Sequence, residues 1–265
     1  MELMLSGVKL KKSNKININF KNNKINGLIG SNNSCIFDII NLICNNENLK
    51  EGYIKYGNEK IDIKSTEKDK EKIRKNVFCI KENTRDILFN INVLEDINYY
   101  IKNIDEERLN ELLKNFNLNN EILSKNYSEL SNSEYKRIVL IVGIMVESSI
   151  LILENPTNNL DNKNIQNLIK ILKKLKRQKN IIITSNDTNF LLEITDNIIL
   201  INDNGNTKEG DKYEILSDEN LLEEINYEVP NIIKFINEVK KEKNIWLGYR
   251  DNINDLIKDV YRYAK

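Results

Sequence analysis

Short runs of apolar residues alternate along the chain with longer segments of helical periodicity. The runs are rich in Ile and Val, and they are Ile25–Ile29, Val77–Ile80, Ile150–Leu153, Ile181–Thr184 and Ile198–Ile201. Continuous apolar runs of this length, separated by helical patterns, are typical of buried parallel strands. The pattern therefore predicts an α/β fold built around a parallel sheet.

The first of these runs leads through a polar turn into a helical pattern at Ile36–Ile43. A turn between a strand and a helix can present backbone N–H groups and the helix N-terminus to phosphates, as in the P-loop G-x-x-x-x-G-K-[ST]. The residues at these eight positions are Gly30, Ser31, Asn32, Asn33, Ser34, Cys35, Ile36 and Phe37. Only Gly30 agrees with the motif, so this segment taken alone also fits an ordinary strand-to-helix turn.

Helical patterns continue in the middle of the chain and at its C-terminal end. From Asp86 to Lys136 the pattern is mostly helical and highly charged, and it predicts a helical subdomain at about residues 86–140. After Gly210 the predicted elements are an amphipathic segment Tyr213–Ile225, a break at Pro230, a helix Asn231–Lys241 and a tail Ile253–Tyr263. We therefore expect a main domain of residues 1–210 and a separate but closely docked C-terminal extension of residues 211–265.

Composition and charge narrow the class of protein. The 265 residues are 40% hydrophobic and 30% charged, which is typical of a globular protein. Forty basic and forty acidic residues give zero net charge, so nucleic acid and anionic lipid are not expected partners. A specific protein partner is the better expectation.

Neither a membrane span nor a disulfide framework is predicted. The longest apolar run, Ile138–Val146, has nine residues, about half of the 18–20 that a spanning helix needs. The segment Met1–Leu10 lacks the features of a secretory signal, and Cys35, Cys44 and Cys79 are isolated in sequence. A reducing cytoplasm is the expected compartment.

The segment from Leu130 to Asp161 resembles the signature helix, Walker B strand and D-loop of an ATP-binding cassette (ABC) ATPase. The positions of the family pattern L-S-G-G-Q-x-x-R are occupied here by Leu130, Ser131, Asn132, Ser133, Glu134 and Arg137. The pattern L-L-L-D-E-P-T-x-x-L-D is met by Ile150-Leu-Ile-Leu-Glu-Asn-Pro-Thr-Asn-Asn-Leu-Asp161, in which Pro156, Thr157, Leu160 and Asp161 match outright.

Other segments extend this resemblance. Val93–Ile97 is similar to the segment after the Q-loop, and Ile181–Thr184 with Asp196 is similar to the H-loop strand and its sequel. The stretch after Gly210 is similar to the C-terminal extension of energy-coupling-factor (ECF) and cobalt or nickel transporter ATPases. The resemblance implies a P-loop NTPase-like core that binds ATP and Mg²⁺ and pairs with a second cassette.

The residues that the family uses on phosphate and Mg²⁺ are replaced here. The P-loop Lys neutralises the phosphates and the following hydroxyl holds Mg²⁺, but Ile36 and Phe37 can do neither. Cys35 in place of the second Gly disfavours any positive φ needed there and puts a side chain against the phosphate path. We expect ATP to bind weakly or not at all at this chain's own site.

The residues that the family uses in hydrolysis are replaced as well. Glu154 stands for the Walker B Asp and could still reach Mg²⁺, whereas Asn155 stands for the Glu that polarises the attacking water. Glu82 occupies the Q-loop Gln position and Asn186 the H-loop His position, and the chain has no His. No catalytic residue of the family is therefore intact.

Two interpretations of the signature segment remain open. Ser131-x-x-Glu134 is a capping box that would satisfy the first N–H groups of any helix. Alternatively, Ser131 and the helix N-terminus face the γ-phosphate of a nucleotide bound by a partner cassette. Asn132 and Ser133 in place of two glycines weigh against the second interpretation, and the charge of Arg137 fits local pairing.

These observations predict a degenerate, non-hydrolysing ABC subunit of an ECF-like transporter. It would pair with an intact ATPase, as a homodimer or a heterodimer, and contact a transmembrane subunit through its helical subdomain at the inner face of the membrane. One alternative is a working transporter ATPase that uses unconventional residues. Another is a cytosolic regulator descended from an ABC ATPase.

Overall fold

The structure is a computed structural model that describes residues 2–10, 14–31, 34–44, 47–82 and 85–263. Its strands are β1 Leu3–Lys9, β2 Lys15–Phe20, β3 Ile25–Gly30, β4 Tyr53–Tyr56, β5 Glu59–Asp62, β6 Val77–Ile80, β7 Ile150–Glu154, β8 Asn180–Thr184, β9 Asn197–Ile201 and β10 Thr207–Asp211. Its helices are α1 Ile36–Ile43, α2 Glu67–Arg74, α3 Val93–Tyr100, α4 Glu106–Asn115, α5 Asn132–Met145, α6 Asn162–Leu175, α7 Thr188–Ile194, α8 Lys212–Leu216, α9 Glu219–Glu224, α10 Asn231–Lys243 and α11 Ile253–Tyr263. Short 3₁₀ helices span Asn120–Ser124 and Tyr127–Glu129.

The central sheet has the order β10-β9-β3-β8-β7-β6. Its strands from β9 to β6 pair in parallel, which confirms the predicted parallel sheet for the five apolar runs. The edge strand β10 pairs antiparallel with β9, because a tight turn at residues 202–206 joins the two strands directly. The sheet is therefore mixed rather than wholly parallel.

A second sheet, with the order β2-β1-β4-β5, is antiparallel and was not predicted. Its strands alternate between buried and exposed positions, as in β2, where Ile16, Ile18 and Phe20 are buried and their neighbours are exposed. Alternation with period two is typical of a strand that has one buried face and one solvent-exposed face. Such strands contain no continuous apolar run, so the pattern of apolar runs does not predict them.

The central sheet is buried on both faces. In β7, Ile150 and Ile152 join one apolar cluster, whereas Leu151 and Leu153 join the other. Successive side chains of a strand point to opposite faces, so each cluster covers one face of the sheet. This two-sided burial explains why the strands are continuous apolar runs.

The segment between β6 and β7 is helical, as predicted, and consists of α3, α4, α5 and the two 3₁₀ helices. The apolar run Ile138–Val146 lies in α5 and at its C-cap, and most of it packs in the main core. In the part of the chain that the structure describes, no helix is long and apolar enough to cross a membrane.

The C-terminal extension differs from the expectation in one respect. The segment predicted as one amphipathic element, Tyr213–Ile225, forms two short helices, α8 and α9. The first helix ends at Leu216, and Asp218 starts the second, because its carboxylate accepts a hydrogen bond from the N–H of Leu221 at 3.1 Å and so caps α9. Ile215 and Ile233 on either side belong to the main core, so part of the extension packs as one body with the cassette. The domain division at residue 210 stays a prediction.

All three cysteines are free, as expected, but they are not all isolated in space. Cys44 lies beside Cys79, and this contact together with burial raises the pKa of Cys79. Cys35, at the start of α1, has its pKa raised by burial to about 11. A thiol with such a pKa is neutral at pH 7.

Candidate functional site

The P-loop-like turn lies between β3 and α1. Gly30 closes β3, and a Cβ atom there would lie 2.4 Å from the carbonyl oxygen of Ile201 and 2.8 Å from Ser34 Oγ. The close approach of backbone explains why the one motif position that survives is a glycine. The candidate residues Asn32 and Asn33 lie outside the described residues.

The Ser31 hydroxyl is hydrogen bonded to the carboxylate of Asp203, which follows β9. Ser31 is buried, and its carbonyl accepts a hydrogen bond from the N–H of Ser34 at 2.9 Å. The sequence analysis did not identify Asp203. A carboxylate beside this turn opposes an incoming anion, although the exposure of Asp203 to solvent weakens the repulsion.

The start of α1 is apolar where a P-loop has its functional side chains. Cys35 is the N-cap residue but makes no side-chain capping hydrogen bond. Ile36 packs against the apolar cluster on one face of the sheet, and the Phe37 ring is 59% exposed. No cation or hydroxyl at these two positions reaches the space above the turn.

A cation that the sequence analysis overlooked lies beside this helix. The Lys81 Nζ is 5.4 Å from the centre of the Phe37 ring and donates a hydrogen bond to Asn41 Oδ1 at 3.0 Å. Lys81 directly follows β6, next to the Q-loop candidate Glu82, which is the one signal that could have identified it. Its charge lies on the flank of α1, one turn beyond the phosphate end.

Two candidate residues, Glu82 and Asn155, meet where β6 and β7 end, together with Asn158, which was not predicted. The Asn155 side-chain amide donates to Glu82 Oε2 at 2.6 Å, and the amide of Asn158 donates to Glu82 Oε1 at 2.5 Å. Because these parallel strands are neighbours, their carboxyl ends bring residues distant in sequence together. Both carboxylate oxygens of Glu82 are thereby engaged by amides.

The Asn155 backbone is left-handed, with φ of +40°. Asn adopts this region more readily than Glu, since its short polar side chain can bond locally. The family has an amide at position 82 and an acid at position 155, whereas this chain has Glu82 and Asn155. Relative to the family pattern, the acid and the amide have exchanged positions.

Glu154, the candidate Mg²⁺ ligand, closes β7 and is partly buried. Its Oε1 is buried without a hydrogen-bond partner among the described residues. Burial raises the pKa of Glu154, while the N–H of Glu82 and the charges of Lys81 and Lys136 act in the opposite direction. Lys136 Nζ is buried and unpartnered as well, and burial lowers its pKa.

The residues present do not fit a magnesium site. Mg²⁺ demands an octahedron of oxygen ligands, usually one or two carboxylates with phosphates and water. Phe37 offers hydrocarbon, Glu82 has both oxygens engaged, and Glu154 has one free oxygen near the Lys81 ammonium. Across the described ranges, no group of three or more metal-ligating side chains is found.

The H-loop candidate Asn186 follows β8, and its Oδ1 accepts a hydrogen bond from the hydroxyl of Tyr227 at 2.9 Å. Tyr227 belongs to the C-terminal extension and was not identified from sequence. Because Tyr227 lies 41 residues after Asn186, no residue close to Asn186 in the sequence indicates this contact.

The signature candidates form the capping box that the sequence predicted. The N–H of Glu134 donates to Ser131 Oγ at 3.2 Å, and the carboxylate of Glu134 accepts from the N–H of Ser131 at 2.9 Å. Leu130 is buried before the cap. The Asn132 side chain accepts a hydrogen bond from Arg85, which ties the Q-loop segment to α5.

Arg137 and Asp161, which flank the signature and D-loop segments, both have hydrogen-bond partners within the fold. Arg137 donates to the carbonyls of Ser133, Phe116 and Asn117 at 2.8–3.1 Å, as local pairing predicted. The D-loop candidate Asp161 caps α6 by accepting from the N–H of Asn164 at 2.8 Å. Neither side chain is free for another ligand without giving up these contacts.

Comparisons with known proteins agree with this architecture. The family model described as ABC transporter matches residues 13–158, which is more than half of the chain. Energy-coupling factor transporter ATP-binding protein EcfA3 of Oenococcus oeni is 28% identical over 222 residues, covering 81% of this chain and 76% of the relative. A protein named EcfA2 of the same transporter class, from Mycoplasma capricolum subsp. capricolum, is 25% identical over 261 residues, covering 95% of this chain and 88% of the relative.

Among solved structures, cbiO1 from Clostridium perfringens, described as part of the ABC transporter complex cbiONQ, superposes with a TM-score of 0.69. The superposition covers 89% of this chain and 98% of cbiO1 at 20% sequence identity, which supports the fold alone. The family model supplies the assignment. This chain belongs to the ABC transporter family and contains the ATPase domain of that family.

Proposed function

We propose that this protein is a non-hydrolysing cassette subunit of an ECF-like transporter, paired with an intact ATPase and attached to a transmembrane subunit. The observation that carries the proposal is the hydrogen bond between Asn155 and Glu82 beside an apolar α1 start. The residues that would polarise water and clamp phosphate are absent from the places where the cassette needs them. The remaining polar groups are engaged with one another.

The loss of the phosphate clamp argues against tight MgATP binding at this site. Ile36 and Phe37 supply neither charge nor hydroxyl, and Asp203 adds a negative charge next to Ser31. Electrostatic clamping of transferring phosphates is worth several kcal/mol. This chain therefore lacks the attractive group at position 36 and has an acid beside Ser31.

The loss of the general base argues against turnover. Asn155 cannot accept the proton of an attacking water, and Asn186 offers no imidazole. A positioned base contributes about 10²–10⁴-fold to a rate, and effects within one site do not simply add. Removing the base and the clamp together leaves little measurable hydrolysis.

Attachment to a transmembrane subunit is supported by the surface of the helical segment. Phe89, Ile91, Leu94 and Tyr99 are 41–75% exposed, and the rings of Phe89 and Tyr99 meet edge to face at 5.0 Å. Buried Asp96 orders this surface by accepting from the N–H of Phe89 at 2.9 Å. Exposed apolar groups held in a fixed arrangement are suited to contact with another protein.

The names of the relatives support the transporter class of the partner. The relatives named above are ATP-binding proteins of energy-coupling factor transporters, and cbiO1 is described as part of a transporter complex. By analogy, this chain would lie at the inner face of the membrane with a second cassette and a membrane subunit. ATP and Mg²⁺ would be bound at the partner's intact site.

Co-purification of the tagged chain from its native membranes, followed by mass identification, tests the proposal. We expect a multi-span membrane protein and an intact cassette in the complex, and no ATPase activity of the isolated chain above background. Recovery of the isolated chain with turnover of its own would overturn the non-hydrolysing role. Recovery from the soluble fraction without either partner would overturn the transport role.

A further inference from the structure

We infer that this cassette blocks its own nucleotide crevice with the side chain of Tyr227, which the C-terminal extension places between Gly30 and Asn186. The hydroxyl donates to Asn186 Oδ1 at 2.9 Å. The backbone N–H of Gly30 lies near this hydroxyl and acts to lower the pKa of Tyr227, whereas burial has the larger effect and raises it. The phenol therefore lies between the ends of two strands and is hydrogen bonded to the residue that follows one of them; we call this arrangement the Tyr227 bridge.

The position of the bridge is that of a ligand. Gly30 ends β3 and Asn186 follows β8, and these two strands are parallel neighbours in the sheet. In open α/β sheets, ligands bind in the crevice outside the carboxyl ends of the strands. A phosphate that approached Gly30 and Asn186 would have to displace the Tyr227 hydroxyl first.

The backbone before Tyr227 holds the side chain in this position. Asn226 has a left-handed φ of +58°, its N–H donates to the carbonyl of Glu223 at 3.0 Å, and the N–H of Tyr227 donates to the carbonyl of Leu222 at 2.9 Å. These two hydrogen bonds form a Schellman motif at the end of α9, with Asn at the left-handed position. Tyr227 is thus the residue at which the chain leaves the helix.

The chain after Tyr227 is also anchored next to the crevice. Val229 and Pro230 are buried, and the N–H of Asn231 donates to Asn189 Oδ1 at 2.9 Å. Asn189 lies in the first turn of α7, the helix that begins just after Asn186. The extension is therefore fastened on both sides of the phenol, so the bridge does not depend on a freely moving tail.

The Tyr227 bridge is a second barrier to nucleotide, separate from the loss of the P-loop Lys. A chain in which Ile36→Lys and Phe37→Ser are combined regains the missing charge and hydroxyl but keeps the phenol. In this background, we expect Tyr227→Ala to tighten ATP binding by about tenfold, since the ring and its hydrogen bond to Asn186 must otherwise be displaced. Tyr227→Phe, which removes the hydroxyl alone, should give a smaller gain, and Tyr261→Phe, at an exposed tyrosine, should give none.

Amide hydrogen exchange on the otherwise wild-type chain provides a second readout that needs no nucleotide. Tyr227→Phe should accelerate exchange about tenfold in peptides that span residues 28–31 and 185–190. Tyr261→Phe should leave these peptides unchanged. If the restored chain binds ATP equally well with and without Tyr227, or exchange is unaltered in Tyr227→Phe, the bridge is not a barrier and the inference is wrong.

These outcomes are separate from the fate of the proposed function. Hydrolysis or micromolar ATP binding by the wild-type chain would contradict the proposed function. A lack of difference between the Tyr227 variants and their Tyr261 control would contradict the inference about the extension.

Discussion

The side-chain amide of Asn155 donates a 2.6 Å hydrogen bond to the carboxylate of Glu82, although the two residues are 73 positions apart. Relative to the family pattern, the acid and the amide have exchanged positions. In this chain the exchange leaves Asn155 hydrogen bonded to Glu82, and it removes the carboxylate from the position of the catalytic base. It also makes the effect of reverting one residue depend on the other.

Asn155→Asp should destabilise the protein, because it places a second carboxylate against Glu82. We expect the free energy of unfolding to fall by about 1–3 kcal/mol, measured by urea denaturation. Glu82→Gln in the same chain restores an acid–amide hydrogen bond and should recover most of the loss. If the two changes have additive effects, the residues are not coupled.

Asn155→Glu should not restore turnover, because the phosphate clamp at Ile36 and Phe37 is still missing. Its left-handed backbone at φ +40° should also make Glu costlier than Asp at this position. Phosphate release measured with excess MgATP should stay at background. Substantial turnover by this single variant would show that the clamp is dispensable.

The isolated wild-type protein should show no saturable heat when MgATP is titrated at physiological concentration. The physical reason is that the start of α1 presents hydrocarbon and that Asp203 faces the turn through Ser31. Asp203→Asn serves as a variant that removes only the repulsive charge, and it should raise affinity by less than the combined Ile36→Lys and Phe37→Ser change. A micromolar dissociation constant for the wild type would contradict this prediction.

Ser131→Glu should weaken ATP-dependent pairing with an intact cassette, if the partner's nucleotide faces the α5 N-terminus of this chain. The positive end of that helix favours a phosphate, and a second acid beside Glu134 would oppose it. Ile36→Ala is the control and should pair like wild type, because this chain's own loop would not hold the nucleotide. Light scattering or crosslinking measures the pairing, and equal pairing by both variants would leave Ser131 with a capping role alone.

The pKa of Glu154 is raised by burial, so its folded-state pKa lies above its unfolded value. The folded state then binds more protons than the unfolded state between the two values, and stability falls as pH rises through that window. Glu82 adds to this effect, and Lys81 and Lys136 oppose it. Glu154→Gln should therefore be more stable than wild type at pH 7 and should lose this advantage below the ordinary carboxyl pKa, as urea denaturation at several pH values would reveal.

Some properties of this protein follow from the chain read in order. The parallel strands are continuous apolar runs because both of their faces are buried, and the start and end of α1 were predicted without error. The capping box at Ser131 is also local, since its partners are three residues apart. The sequence also shows directly that the chain has no His and no Lys at the P-loop position.

Other properties were decided by the tertiary structure. The hydrogen bonds from Asn155 to Glu82 and from Tyr227 to Asn186 join residues 73 and 41 positions apart, so nothing in the sequence next to them indicates the partner. The sheet brings the first pair together by making β6 and β7 neighbours, and a left-handed Asn226 at the end of α9 directs Tyr227 to the second. The sequence shows which groups the site has lost, and long-range packing determines what has taken their place.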